Sequence, residues 1–190
     1  ALIPLNDQPL IPIPWKIPLV KCNSKVFPFA CKLRAFKFRL EVTNIDHVQR
    51  FLESLMENSI TELELGEYGN VRENMNQIFN CIPQMNRLEK LKISVRFQLS
   101  DFEMFQRALV YSNITELEFR RTSTGRQLVL ALAAVLPKTK LKVLSFFSTN
   151  TSEKELKELA SSLPHSSVTE LNLTLYNFPD ISHGFTNLKI

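Results

Sequence analysis

Glycine is scarce in this chain, with four residues in 190. No phosphate-binding glycine loop of either common type can be read from them, which removes the usual cradle of nucleotide chemistry. Cysteine occurs only as Cys22, Cys31 and Cys81. An odd, sparse set makes no disulfide framework and suits a reducing, cytoplasmic compartment. Cys22 and Cys31 lack zinc-site spacing, and Cys81 falls beside core positions of a helical pattern, as a small buried apolar residue would. His47, His165 and His183 fall at a predicted helix start, a post-helix turn and a terminal loop. They share no register, so neither a Cys–His nucleophile nor a metal set emerges.

No apolar run approaches the roughly 18 residues that span a bilayer. The opening, ALIPLNDQPLIPIPWKIPLV, is broken by Asn6, Asp7 and five prolines, which excludes both a signal-peptide core and a membrane helix. It begins at Ala1 rather than Met, so an upstream segment is expected to have been removed. Net charge is only +4. Basic residues form short groups (Lys32, Arg34, Lys37, Arg39; Arg120, Arg121) rather than a tract, so nucleic-acid binding is not indicated. The triplets beginning at Asn113, Asn150 and Asn172 fit the glycosylation pattern and are the one hint of secretion.

What the chain does have is a period. Steps of 27 from Val48 meet Met75, Phe102, Val129 and Leu156. From Phe51 they meet Ile78, Phe105, Leu132 and Leu159, and from Leu55 they meet Ile82, Leu109, Leu136 and Leu163. All fifteen positions are apolar in a chain that is 44% hydrophobic. Within each unit the offsets of 0, +3 and +7 lie on one helix face. A fixed period of about 20 to 50 residues marks a solenoid or similar array, in which each unit touches its neighbours.

Between these faces runs a second pattern, an aliphatic or Phe at positions 1, 4 and 6. It reads Leu33, Phe36, Phe38; Ile60, Leu63, Leu65; Leu88, Leu91, Ile93; Ile114, Leu117, Phe119; Leu141, Leu144, Phe146; and Val168, Leu171, Leu173. First positions are 27, 28, 26, 27 and 27 residues apart, so the third segment slips by one and recovers. Apolar residues alternating with polar ones predict short half-buried strands. Phe185, Leu188 and Ile190 predict a seventh strand, with residues 174–184 a loop before it. Ser100-Asp-Phe-Glu103 and Ser152-Glu-Lys-Glu155 match the capping box. Pro83, Pro137 and Pro164 each follow the last core position of a helix and are expected to end it.

The segments ITELEL, LEKLKI, ITELEF, LKVLSF and VTELNL resemble the leucine-rich repeat. A unit near 27 residues with a full helix is similar to the ribonuclease-inhibitor-like class. The resemblance covers residues 33–190 and implies an α/β, right-handed solenoid of about six repeats. Its parallel sheet would line the concave face and its helices the convex face. The family's usual Asn or Cys three positions after the last strand leucine is replaced by Glu41, Tyr68, Arg96, Thr122, Thr149 and Tyr176. Asn150 and Asn177 follow one residue later, so longer loops are expected. Residues 1–32, with six prolines, Trp15, Phe27 and Phe29, lie outside the register. They read either as an N-terminal cap or as an extended proline-rich arm.

Strand positions 3 and 5 are expected to face away from the helices: Ala35/Lys37, Glu62/Glu64, Lys90/Lys92, Glu116/Glu118, Val143/Ser145 and Glu170/Asn172. Equivalent residues of adjacent parallel strands lie about 5 Å apart, so Glu, Lys and Glu form columns. Such ladders either fix register, at no more than about 1 kcal/mol per exposed pair, or form a recognition strip. Glu62 and Glu64 beside Lys90 and Lys92 would stay ionised, which suits no acid–base pair.

Further along, Val143, Phe147, Thr174 and Tyr176 replace charges with groups suited to anchoring a partner, unless the loop around Phe178 and Pro179 covers them. The reading is a non-enzymatic scaffold for a partner protein, with no cofactor, metal or small-molecule substrate. Glu62, Glu64, Lys90, Lys92, Glu116 and Glu118 would orient the partner; Val143, Phe147 and Tyr176 would anchor it. The Lys-, Asn- and Phe-rich texture resembles repeats of bacterial effectors delivered into host cytosol, and also intracellular eukaryotic repeat proteins. Two other classes stay open. One is the targeting part of a larger enzyme, such as a ubiquitin ligase. The other is an anionic-surface binder using Lys32, Arg34, Lys37, Arg39 and Arg120.

Overall fold

The computed structural model describes residues 20–21, 37–40, 56, 60–66, 71–95, 97–120, 125–148 and 152–175. Among the described residues seven strands form one parallel sheet in sequence order: β1 (Val20–Lys21), β2 (Lys37–Leu40), β3 (Glu62–Gly66), β4 (Lys90–Ser94), β5 (Glu116–Phe119), β6 (Val143–Ser148) and β7 (Glu170–Leu175). Among the described residues four helices alternate with the later strands: α1 (Val71–Cys81), α2 (Asp101–Tyr111), α3 (Gly125–Val135) and α4 (Glu153–Ser162). Each helix packs on the next, so all four share one side of the sheet. No described helix is long and apolar enough to cross a membrane.

From β3 onward the register follows the apolar pattern. Leu63, Leu91, Leu117, Leu144 and Leu171 pair across successive strands at spacings of 28, 26, 27 and 27 residues. The slip at β4 is real and is taken up within one unit. Strand β2 differs from expectation, since Phe38 rather than Phe36 pairs with Leu63. A shift of two residues preserves the face of every side chain, whereas a shift of one would invert it. Strand β1 arises inside the proline-rich segment that the period does not reach, and pairs Val20 with Phe38. Strand β7 runs through Thr174 and Leu175, two residues into the expected loop. The predicted helix over Val48 and Phe51 and the strand at Phe185 lie outside the described residues.

The leucine row and the helical stripes close into a single core. Met75, Ile78 and Ile82, then Phe105 and Leu109, then Val129, Leu132 and Leu136, then Leu156, Leu159 and Leu163 are all buried. Each such burial contributes about 1.5–3 kcal/mol. Phe102 is half-buried and stacks on Phe97, with ring centroids 5.5 Å apart. Phe97, in the loop after β4, also stacks on Phe79 at 5.8 Å and meets Phe105 edge-on at 5.1 Å. Cys81 is half-buried against the core.

Three of the helices end as the prolines predict, in short 3-10 turns at Ile82–Gln84, Leu136–Lys138 and Leu163–His165. Met85 follows the first of these turns, and a hydroxyl closes the other two. Thr139 and Ser166 donate to the carbonyls of Leu136 and Leu163, and Ser112 donates likewise to Leu109 after α2. These residues are themselves 27 apart, a polar column that a search restricted to apolar residues misses. The capping box at Ser152 forms, with its amide donating to Glu155 at 2.8 Å. The one expected at Ser100 does not: Ser100 is helical in backbone, and Asp101 instead accepts the Gln98 amide at 2.7 Å.

Candidate functional site

The sheet side opposite the helices carries the polar residues of the strands in two rows. One runs Glu62, Lys90, Glu116, Val143, Glu170; the other runs Glu64, Lys92, Glu118, Ser145, Asn172. Parallel pairing puts equivalent residues side by side, so the alternation of signs becomes a lattice of ion pairs. Lys90 pairs with Glu116 on the next strand. Lys92 reaches Glu118 at 3.4 Å and, diagonally, Glu62 at 2.9 Å. Arg120, just past β5, donates to Glu118 from Nε at 2.5 Å.

The lattice is not uniformly open to solvent. Glu64 and Lys92 are buried within it, only 5% and 7% exposed, which makes them part of the framework rather than free contacts. Lys90 and Glu116 remain partly exposed, with side chains 35% and 42% accessible. Burial opposes the charge on Glu118. The Arg120 hydrogen bond and the Lys92 and Arg120 charges outweigh that cost and hold its carboxyl below the usual range. The lattice therefore keeps its carboxylate there ionised.

At β6 the charges are interrupted, to resume at Glu170 on β7. Val143 and Ser145 are short side chains between the longer ones of β5 and β7, and the face dips into an open depression of about 230 Å³. Its walls carry Lys90, Glu116 and Glu118 on one side and Glu170 and Asn172 on the other. Among the described residues, no group of three or more His, Cys, Asp or Glu is placed to hold a metal.

Neither a family model nor a curated protein matches this chain. The site is therefore defined by its own geometry. Of the nine residues that the sequence nominates, Glu62, Glu64, Lys90, Lys92, Glu116, Glu118 and Val143 share this face. Phe147 pairs with Thr174 through its backbone, while its side chain and all of Tyr176 lie outside the described residues. Sequence reasoning passed over Ser145, Glu170 and Asn172 as site residues, although each sits at an outward strand position. The signal was present in the small volume of Val143 and Ser145 between long neighbours.

Proposed function

We propose that this chain is a leucine-rich-repeat-type solenoid, without enzymatic activity of its own, that binds a partner protein on the open face of its sheet. In that architecture the sheet lines the concave side of a right-handed coil of about six units, and the helices cover the outside. The observation that carries the reading is the open face itself. Its side chains stand in fixed register on a rigid sheet, with an interruption of the charge lattice at Val143 and Ser145 where another surface can seat. Glu62, Glu116 and Glu118 are each matched with a lysine, an arrangement suited to orienting a partner.

The test is affinity capture with the parent chain, a Val143→Asp variant and a Glu103→Lys variant on the outer side of α2, each checked by circular dichroism. One protein recovered by the parent and by Glu103→Lys, but lost with Val143→Asp, supports the reading. Equal recovery by all three chains moves the interface off this face.

A further inference from the structure

The hydrogen-bonding inventory of the depression leans toward acceptors, although Lys90 at its edge and the Ser145 hydroxyl keep hydrogens to donate. Asn172 spends both amide hydrogens inside the protein, donating from Nδ2 to Glu170 Oε1 at 2.9 Å and to Ser145 Oγ at 3.3 Å. Its Oδ1 is left as an acceptor. Lys90 engages Oε2 of Glu116. Among the described residues nothing donates to Glu116 Oε1 or Glu170 Oε2. The groups still free to bond around this hollow therefore include three acceptors, two of them on carboxylates, and among the described residues no side-chain cation pairs with Glu170. A donor-rich cation is what such a surface lacks.

Shape and hydration distinguish between cations. Glu116 and Glu170 occupy the same register position two strands apart, with Val143 between them. Two strand spacings amount to about 9.6 Å. Span alone does not exclude an ammonium, since Lys92 bridges Glu62 and Glu118 from the strands on either side of its own. An ammonium is, however, strongly hydrated and has no flat face to lay over Val143. A guanidinium presents donors on opposite edges, and with charge-assisted bonds of about 2.8 Å on each side it spans most of the distance. Its flat face and methylene stem would lie over the Val143 side chain, which is half-buried and apolar.

We propose that the depression between β5 and β7 is an arginine-binding site, receiving the guanidinium of an exposed arginine on the partner protein. This rests on the reading of the open face as a protein-binding surface and adds the chemistry of what it recognises. Glu116 and Glu170 grip opposite edges, Asn172 Oδ1 takes a further hydrogen, and Val143 forms the floor.

The experiment is amide chemical-shift mapping of the chain with Nα-acetyl-arginine methylamide, against the matching citrulline and lysine amides. Citrulline has arginine's shape without its charge. The arginine amide is expected to give saturable shifts at Val143, Ser145 and Asn172, with affinity in the millimolar range usual for a single side chain. Glu170→Gln should weaken it about fivefold, and exposed Glu103→Gln on α2 should leave it unchanged. Citrulline shifting the same signals as strongly overturns the proposal, and so does a silent titration. An equal response to lysine overturns the two-edged geometry. If capture shows a partner lost with Val143→Asp while the arginine amide moves nothing, the face reading stands and the arginine site falls. Saturable arginine binding with no partner lost gives the reverse.

Discussion

Without its ammonium group, Lys92 would leave Glu62 and Glu118 largely enclosed and short of a shared cation. Lys92→Met is therefore expected to cost about 2 kcal/mol in urea unfolding, because a mostly buried pair is broken from one side. Lys90→Met removes a partly exposed pair and should cost under about 0.5 kcal/mol. Equal costs would contradict this division. Glu155 gives a pH signature. The Ser152 hydroxyl bond, aided by the Ser152 amide and Arg126, outweighs burial and holds its carboxyl below the usual value. A lowered folded pKa stabilises fully above the unfolded value and loses that contribution as pH falls through the folded one. Glu155→Gln should therefore lower stability at pH 7 and flatten the acid limb of the unfolding midpoint below about pH 5. The alternation of Glu and Lys was legible in the sequence. Which lysine is buried was not, because it depends on a diagonal reach between strands that period alone does not specify.

At the scale of elements, the helix stripes and the strands from β3 onward follow from apolar spacing because each has one face to bury. Capping signals divided. Ser152 caps α4, whereas Asp101 displaced the expected box at Ser100 because its short carboxylate, one residue later, reaches the Gln98 amide first. Loop fillers were harder to anticipate. Phe97 belongs to no repeated position, yet its ring meets four others: Phe79, Phe102, Phe105 and Phe119. Phe97→Ala should destabilise by about 3 kcal/mol, the usual cost of emptying an aromatic site, while leaving the helical circular dichroism of the folded state unchanged. A loss below about 1 kcal/mol, less than an ordinary surface-to-core difference, would mean the loop refills the space.

At the scale of the molecule, every described strand pairs only with its predecessor and successor among the described strands. Stability should then be regional, with each unit supported chiefly by its neighbours. Leu171→Ala in β7 is expected to speed amide exchange in β6, β7 and α4 while leaving β3 nearly unaffected. A uniform rise throughout the sheet would instead show one cooperative block. The units also share a main-chain joint. The carbonyl of Thr61 accepts the amides of both Glu89 and Lys90. Those of Glu89, Thr115 and Lys142 each accept two successive amides from the following unit in the same way. Main-chain amides make this joint each time, the Thr115 and Thr169 hydroxyls adding a bond to the Glu89 and Lys142 carbonyls, and threonine, glutamate and lysine all supply the accepting carbonyl. The frame is consequently blind to the identity of what it displays. Apart from the enclosed Glu64 and Lys92, outward residues can be exchanged over evolutionary time, or by design, without re-solving the fold, which makes the displayed chemistry the quickest part of this molecule to diverge.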